Sequence, residues 1–218
     1  RTGNELPPRG EDGQSQAFEG EVVGLAATPP DPKGMSSLYV AYLNAGENKE
    51  HLPAKIQRFR ATAKGWQATP AVELSGVPQG LVSVAGKGHH GVLVGAPLLY
   101  LEEGKDGLKE RWRDKGHQPG AAVEVSPLTT GGKTPMMVGI RVDEAKKHPI
   151  LVGRDPTARV TVERELSAGG KSLDPIHLAG ADRLLALVSQ QRTQQRLETF
   201  RARDLSPVAQ IPLRSAVT

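Results

Sequence analysis

The sequence contains no cysteine. That removes disulfides, thiolate zinc sites, a cysteine nucleophile and a covalently attached c-type haem together. Aromatic residues are only 4% of the 218 positions, so a core has to be built from Val, Leu and Ala rather than from rings. No apolar run approaches the roughly 18 residues of a membrane-spanning helix, so no membrane span is expected. Helical spacing sustained over about a dozen residues is nearly absent. The best helical candidate, 181–200, carries Leu184, Leu185, Leu187 and Val188 but then a polar centre from Ser189 to Gln195. It reads as strand, turn, strand.

Punctuation is abundant instead. Gly (25) and Pro (17) give 42 of 218 residues, against an average usage of about 12%. Between these breakers lie short apolar runs, among them Val22–Ala26, Leu38–Leu43, Ile56–Ala61, Val92–Val94, Met136–Val142, Ile150–Val152 and Leu184–Val188. Runs of that length separated by Gly, Pro, Asp or Asn are what strands and turns require. Residues 1–18 differ: they are polar and rich in Gly, Pro and acids, and are expected to form a flexible arm ahead of a single β domain over 19–218.

Lys and Arg (28) exceed Asp and Glu (24), giving a net charge of +4 and a pI near 9.4. The basic residues sit beside acids, as in Lys105-Asp106 and Lys109-Glu110-Arg111. A nucleic-acid surface would cluster them with aromatics between, so no nucleic-acid partner is expected. The excess charge still allows weak attraction to acidic partners or anionic lipid. The chain opens on Arg1, as a removed leader or a larger parent chain would leave it. The compartment stays open, with the periplasm or the exterior favoured.

Internal echoes suggest a repeat. His90-Gly91-Val92-Leu93-Val94-Gly95 is matched by His148-Pro149-Ile150-Leu151-Val152-Gly153, and Phe59-Arg60-Ala61 by Phe200-Arg201-Ala202. Four strand pairs follow: 38–43 with 55–61, 92–95 with 98–102, 150–153 with 158–163, and 184–188 with 196–202. A unit of about 50 residues and four strands fits a propeller blade, because one sheet cannot bury both of its faces alone. The fold class expected is all-β and propeller-like, with about four blades, as a small ring or as part of a larger one.

Val92-Leu93-Val94-Gly95-Ala96-Pro97-Leu98 resembles the core of FG-GAP and VCBS-type propeller repeats, and Ile150–Asp155 is similar to it. The region through Gly107 also resembles a blade of quinoprotein sugar-dehydrogenase-like propellers. The first likeness implies a calcium loop of alternating oxygen ligands. In Glu103-Gly104-Lys105-Asp106-Gly107 a Lys stands where a ligand is wanted, which argues against calcium.

Other motifs yield little. Thr130-Gly131-Gly132-Lys133-Thr134 has Pro127 where a phosphate loop needs Gly. No G-x-S-x-G elbow is present. Glu102-Glu103 and Asp143-Glu144 read as solvated hairpin tips rather than glycosidase pairs. Trp66 and Trp112 read as edge packing, with sugar-stacking platforms as the alternative. His89 and His90 point to opposite faces of a strand and do not share an ion. His90 and His148 fall at equivalent repeat positions and would line one rim. A partner-binding surface is therefore placed at His89, His90, His148 and Arg154.

The leading function is a non-enzymatic module that binds another protein or a subunit of a larger complex, with no metal, cofactor or catalytic residue. One alternative is a quinoprotein-type oxidoreductase with His89, His90, Arg154 and Asp155 facing a central channel. The other is a carbohydrate-binding propeller.

Overall fold

The structure is a computed structural model and describes residues 20–30, 35–44, 53–63, 65–86, 88–95, 98–114, 126–129, 135–142, 148–159, 161–168, 171–172, 174–181, 183–192 and 194–213. The expected arm at 1–18, the loop at 130–134, and Asp143-Glu144 lie outside them. Among the described residues there is no helix, and the chain is all-β.

Four antiparallel sheets follow one another in sequence. Sheet 1 holds β1 (Gly20–Ala27), β2 (Ser37–Asn44), β3 (Ala54–Thr62) and β4 (Gly65–Ala68), with β5 (Val72–Glu73) also on β3. Sheet 2 holds β6 (Leu81–Gly86), β7 (His89–Val94), β8 (Leu99–Gly104) and β9 (Gly107–Arg113). Sheet 3 holds β10 (Ser126–Thr129), β11 (Pro135–Val142), β12 (Pro149–Arg154) and β13 (Thr161–Glu165). A two-stranded ribbon, β14 (Ser167–Ala168) with β15 (Lys171–Ser172), leads on to sheet 4. That sheet holds β16 (Asp174–Ala181), β17 (Leu184–Gln191), β18 (Gln194–Arg201) and β19 (Pro207–Leu213). Three of the four strand pairs read from the sequence are the central hairpins of these sheets; the remaining one, β12 with β13, is the last pair of sheet 3.

Alternation along each strand explains how the sheets stack. Residues opposed in an antiparallel ladder share a face, and successive residues change face. On sheet 2, Val92, Val94, Leu99 and Leu101 pack against Tyr39, Ala54 and Ile56 of sheet 1. Their neighbours Leu93, Leu98 and Tyr100 turn the other way, onto Met137, Ile150 and Val152 of sheet 3. On sheet 3, Met136, Val138, Ile140 and Leu151 meet Leu178, Leu185, Leu187 and Phe200 of sheet 4. Each buried Leu or Ile of this kind contributes about 1.5–3 kcal/mol. The short apolar run, buried on both sides, is therefore the signature of a middle sheet.

The sequence echo keeps its facing, though it falls on the second strand of sheet 2 and the third of sheet 3. Val92 and Ile150, equivalent in the sequence echo, both face the preceding sheet. Leu151, equivalent to Leu93, faces the following sheet as Leu93 does. The innermost strands adjoin in order, β1 beside β6, β6 beside β10 and β11, and β10 beside β16. Among the described residues no hydrophobic cluster joins sheet 4 to sheet 1. The described residues thus form a propeller-like series of four sheets with no hydrophobic cluster closing it into a ring.

Both end sheets carry exposed apolar side chains on their outward faces. On sheet 1, Val40 and Phe59 look away from sheet 2 and are nevertheless buried, whereas Leu25, opposite Val40 on that face, is 46% exposed. On sheet 4, the face away from sheet 3 carries Leu184 at 49% and Ile211 at 51% exposure, with Ala186, Val188 and Leu197 half-buried between them.

Candidate functional site

The polar residues concentrate between sheets. At the gap between sheets 1 and 2, Glu103 accepts a 2.6 Å hydrogen bond from the Tyr39 hydroxyl. Its other oxygen lies 3.1 Å from Nη1 of Arg58, a guanidinium only 5% exposed. Burial, reinforced by the Glu103 carboxylate, pushes the Tyr39 phenol far above its ordinary range, so it stays protonated and donates to Glu103.

The gap between sheets 2 and 3 holds the larger network. Asp114, just past β9, is buried and lies 3.0 Å from Nη2 of Arg154 and 3.4 Å from Nε of Arg141. Arg141 also pairs with Glu163 at 3.0 Å. The Arg154 guanidinium sits 5.7 Å from the centre of the Trp112 ring. Two carboxylates answer two guanidiniums across the sheets, so the cluster closes its own charge. It fastens sheet 3 to sheet 2 rather than holding charge ready for a ligand.

At the opposite end of the same gap are the histidines. His89 places Nδ1 2.9 Å from Glu102 Oε1, and Arg111 donates to the other oxygen of Glu102. Burial alone would raise the Glu102 carboxyl, but the hydrogen bonds from His89 and Arg111 outweigh it and hold the group below its ordinary value. On sheet 3, His148 pairs with Glu165 at 2.7 Å.

These positions can be set against the expected site. His90 lies near the start of β7, the second strand of sheet 2, and His148 just before β12, the third strand of sheet 3, so the echo does not fall on the same strand of each sheet. They face successive gaps: His90 shares the face of Val92, toward sheet 1, and His148 that of Ile150, toward sheet 2. His89, on the other face, shares the gap with His148 and Arg154. The four residues do not converge on one point, since Arg154 lies at the far end of β12 from His148. The channel-facing cluster of the oxidoreductase reading does not form either. Arg154 is engaged by Asp114 and Trp112, and Asp155 accepts from the amides of Thr157 and Arg159 in its own loop. Trp112 is buried beneath Arg154 and offers no open platform. Among the described residues no group of three or more His, Asp or Glu is placed to hold a metal ion.

Sequence reasoning missed a cavity of about 420 Å³ on sheet 4, lined by Gln191, Gln194, Gln195, Gln210, Arg196 and Pro212. The β17–β18 ladder pairs Gln191 with Gln194 and Ser189 with Arg196. Most of the lining thus belongs to the face of Leu185, Leu187 and Phe200, directed at sheet 3, where its apolar half gives out. Behind the rim, Arg196 Nη2 pairs with Glu198 at 3.2 Å. Arg196 Nε and the buried Ser189 hydroxyl have no hydrogen-bond partner. The signal was the run of amides from Gln190 to Gln195, noticed only as a break in helical periodicity.

No family model matches the chain, and no curated protein matches it. Among solved structures, the SapL1 lectin in complex with alpha methyl fucoside is similar at 15% identity and a TM-score of 0.48. The match covers 86% of this chain and 64% of the lectin, so the chain spans less than two thirds of that protein's length.

Proposed function

We propose that this chain is a non-enzymatic scaffold module, a run of FG-GAP- or VCBS-like blades that holds a partner protein on the outer face of sheet 4. One observation carries the reading. Sheets 2 and 3 cover both faces, whereas the outer face of sheet 4 leaves Leu184 and Ile211 about half exposed. Four strands at about 4.8 Å spacing and eight residues at about 3.3 Å define a face of about 500 Å². On that face Leu184, Ala186, Val188, Leu197 and Ile211 form an apolar band beside His177, Thr199 and Arg201, and apolar patches rimmed by polar residues mark interaction sites. A stable interface covers about 800 Å² per partner, so this face supports reversible association. The partner it fits is another β-sheet with small and branched apolar side chains, packed as sheet 3 packs on the inner face. The intervening polar networks neutralise themselves, which suits a scaffold more than a reaction centre.

Light scattering over a concentration series tests this, with a second copy standing in for the partner sheet. The expected result is reversible growth in mass above 23.2 kDa. The L184E/I211E double variant should stay monomeric at an unchanged melting temperature. A wild-type chain that remains monomeric at about 0.5 mM and binds no hydrophobic dye overturns the reading.

A further inference from the structure

We infer that the cavity at the outer end of sheet 4 is a binding site for an uncharged saccharide unit. The inference does not rest on the scaffold reading, because most of the lining lies on the opposite face of the sheet, only Gln195 and Leu213 sharing the outer one. Its volume, about 420 Å³, falls in the range of small-molecule sites.

The lining decides the ligand's charge. No carboxylate lines the cavity, so it does not suit a cation. Its one guanidinium among the described residues, Arg196, is answered by Glu198 at 3.2 Å, and no second described cation lines the cavity to hold an anion. What remains is amide chemistry. Each glutamine offers an acceptor oxygen and two donor hydrogens in one plane. Gln194 and Gln210 spend neither on a described neighbour, while Gln195 donates weakly to Gln190 at 3.4 Å. Such a surface matches a ligand whose groups both donate and accept at short, regular spacing, as adjacent ring hydroxyls do. Pro212 supplies an aliphatic patch for the C–H face of such a ring.

The second observation lies behind the rim. Arg196 Nε is buried without an acceptor, and the wholly buried Ser189 hydroxyl, opposite Arg196 in the ladder, is also unpartnered. Leaving such groups unsatisfied is costly, and a structure retains them where a ligand or water completes the bonding. A hydroxyl reaching Arg196 Nε would supply the missing acceptor. No aromatic ring lines the cavity, so the stacking that gives tight sugar binding is missing. Affinity is therefore expected in the millimolar range.

The test is an amide-detected NMR titration of the full chain with methyl α-mannoside, methyl β-galactoside, N-acetylglucosamine and maltose, and with galacturonate as the charged comparator. At least one neutral sugar should move the side-chain amide signals of Gln194 and Gln210 in a saturable way. Galacturonate should bind no more tightly than the galactoside. The Q194A/Q210A variant should lose about tenfold in affinity, as two hydrogen bonds of ordinary strength imply, while its melting temperature and its self-association stay those of the parent. Silence from all four neutral sugars at about 50 mM, tighter binding of galacturonate, or undiminished binding by the variant would each overturn the inference. A loss of self-association with sugar binding intact would bear on the scaffold reading alone.

Discussion

Leu184 and Leu185 are neighbours in β17; Leu185 is wholly buried against sheet 3 and Leu184 is 49% exposed on the opposite face. The outer face of sheet 1 is mixed, for there Val40 and Phe59 are each 1% exposed while Leu25, opposite Val40, is 46% exposed. In this chain apolar alternation tells which residues want cover, and the position of a sheet in the series tells which obtain it. The sharpest way to break the comparison is to truncate the two leucines separately. Leu185→Ala should cost about 2–5 kcal/mol in urea unfolding, the usual penalty for a core cavity. Leu184→Ala should cost under about 1 kcal/mol, because it removes contacts with little more than its own sheet. Equal losses would mean that the outer face is covered as firmly as the inner one.

A smaller effect sharpens the same contrast at glycines. A Cβ on Gly139 of sheet 3 would lie 2.4 Å from Leu98 Cδ1 of sheet 2. A Cβ on Gly24 of sheet 1 would meet Leu81 at an ordinary 3.6 Å. Gly139→Ala should therefore destabilise by about 1–3 kcal/mol as Leu98 is forced from its rotamer, and Gly24→Ala should leave the thermal midpoint nearly unchanged. If both were neutral, the gap between sheets 2 and 3 would be looser than the buried Leu93, Leu98 and Met137 indicate.

Much of the architecture was legible because short apolar runs and Gly/Pro punctuation are direct consequences of stacked sheets. The 58-residue echo even preserved face: Val92 and Ile150 both look back, Leu93 and Leu151 both look forward. The polar networks were not legible. Glu102 and Glu103 looked like one solvated pair, yet alternation sends them to opposite gaps, one to His89 and Arg111, the other to Tyr39 and Arg58. Asp114 carries no motif and acquires its role only because β9 ends level with Arg154. Such pairings depend on which sheets are neighbours in space, and a single sequence does not state that. The histidines stood out by their place in the sequence echo, whereas the cavity is lined by glutamines that belong to no motif.

The smallest expected effect concerns acid. Glu102 is held below its ordinary value because the hydrogen bonds from His89 and Arg111 outweigh the opposing cost of burial. A carboxylate depressed in the folded state stabilises at pH above its unfolded value, about 4.3 for Glu, and that contribution is lost as pH falls through the folded value. The melting temperature should fall between about pH 4.5 and pH 3 more steeply in the parent than in a Glu102→Gln variant. The variant should start lower at pH 6, where the parent still has the ion pair, and the two curves should converge at the acid end. Glu163 is the control. It is paired with Arg141 but 41% exposed, and exposed pairs contribute little, so Glu163→Gln should leave the acid limb as it is in the parent. Parallel curves for the parent and Glu102→Gln would mean that the His89–Glu102–Arg111 cluster adds nothing to the folded state.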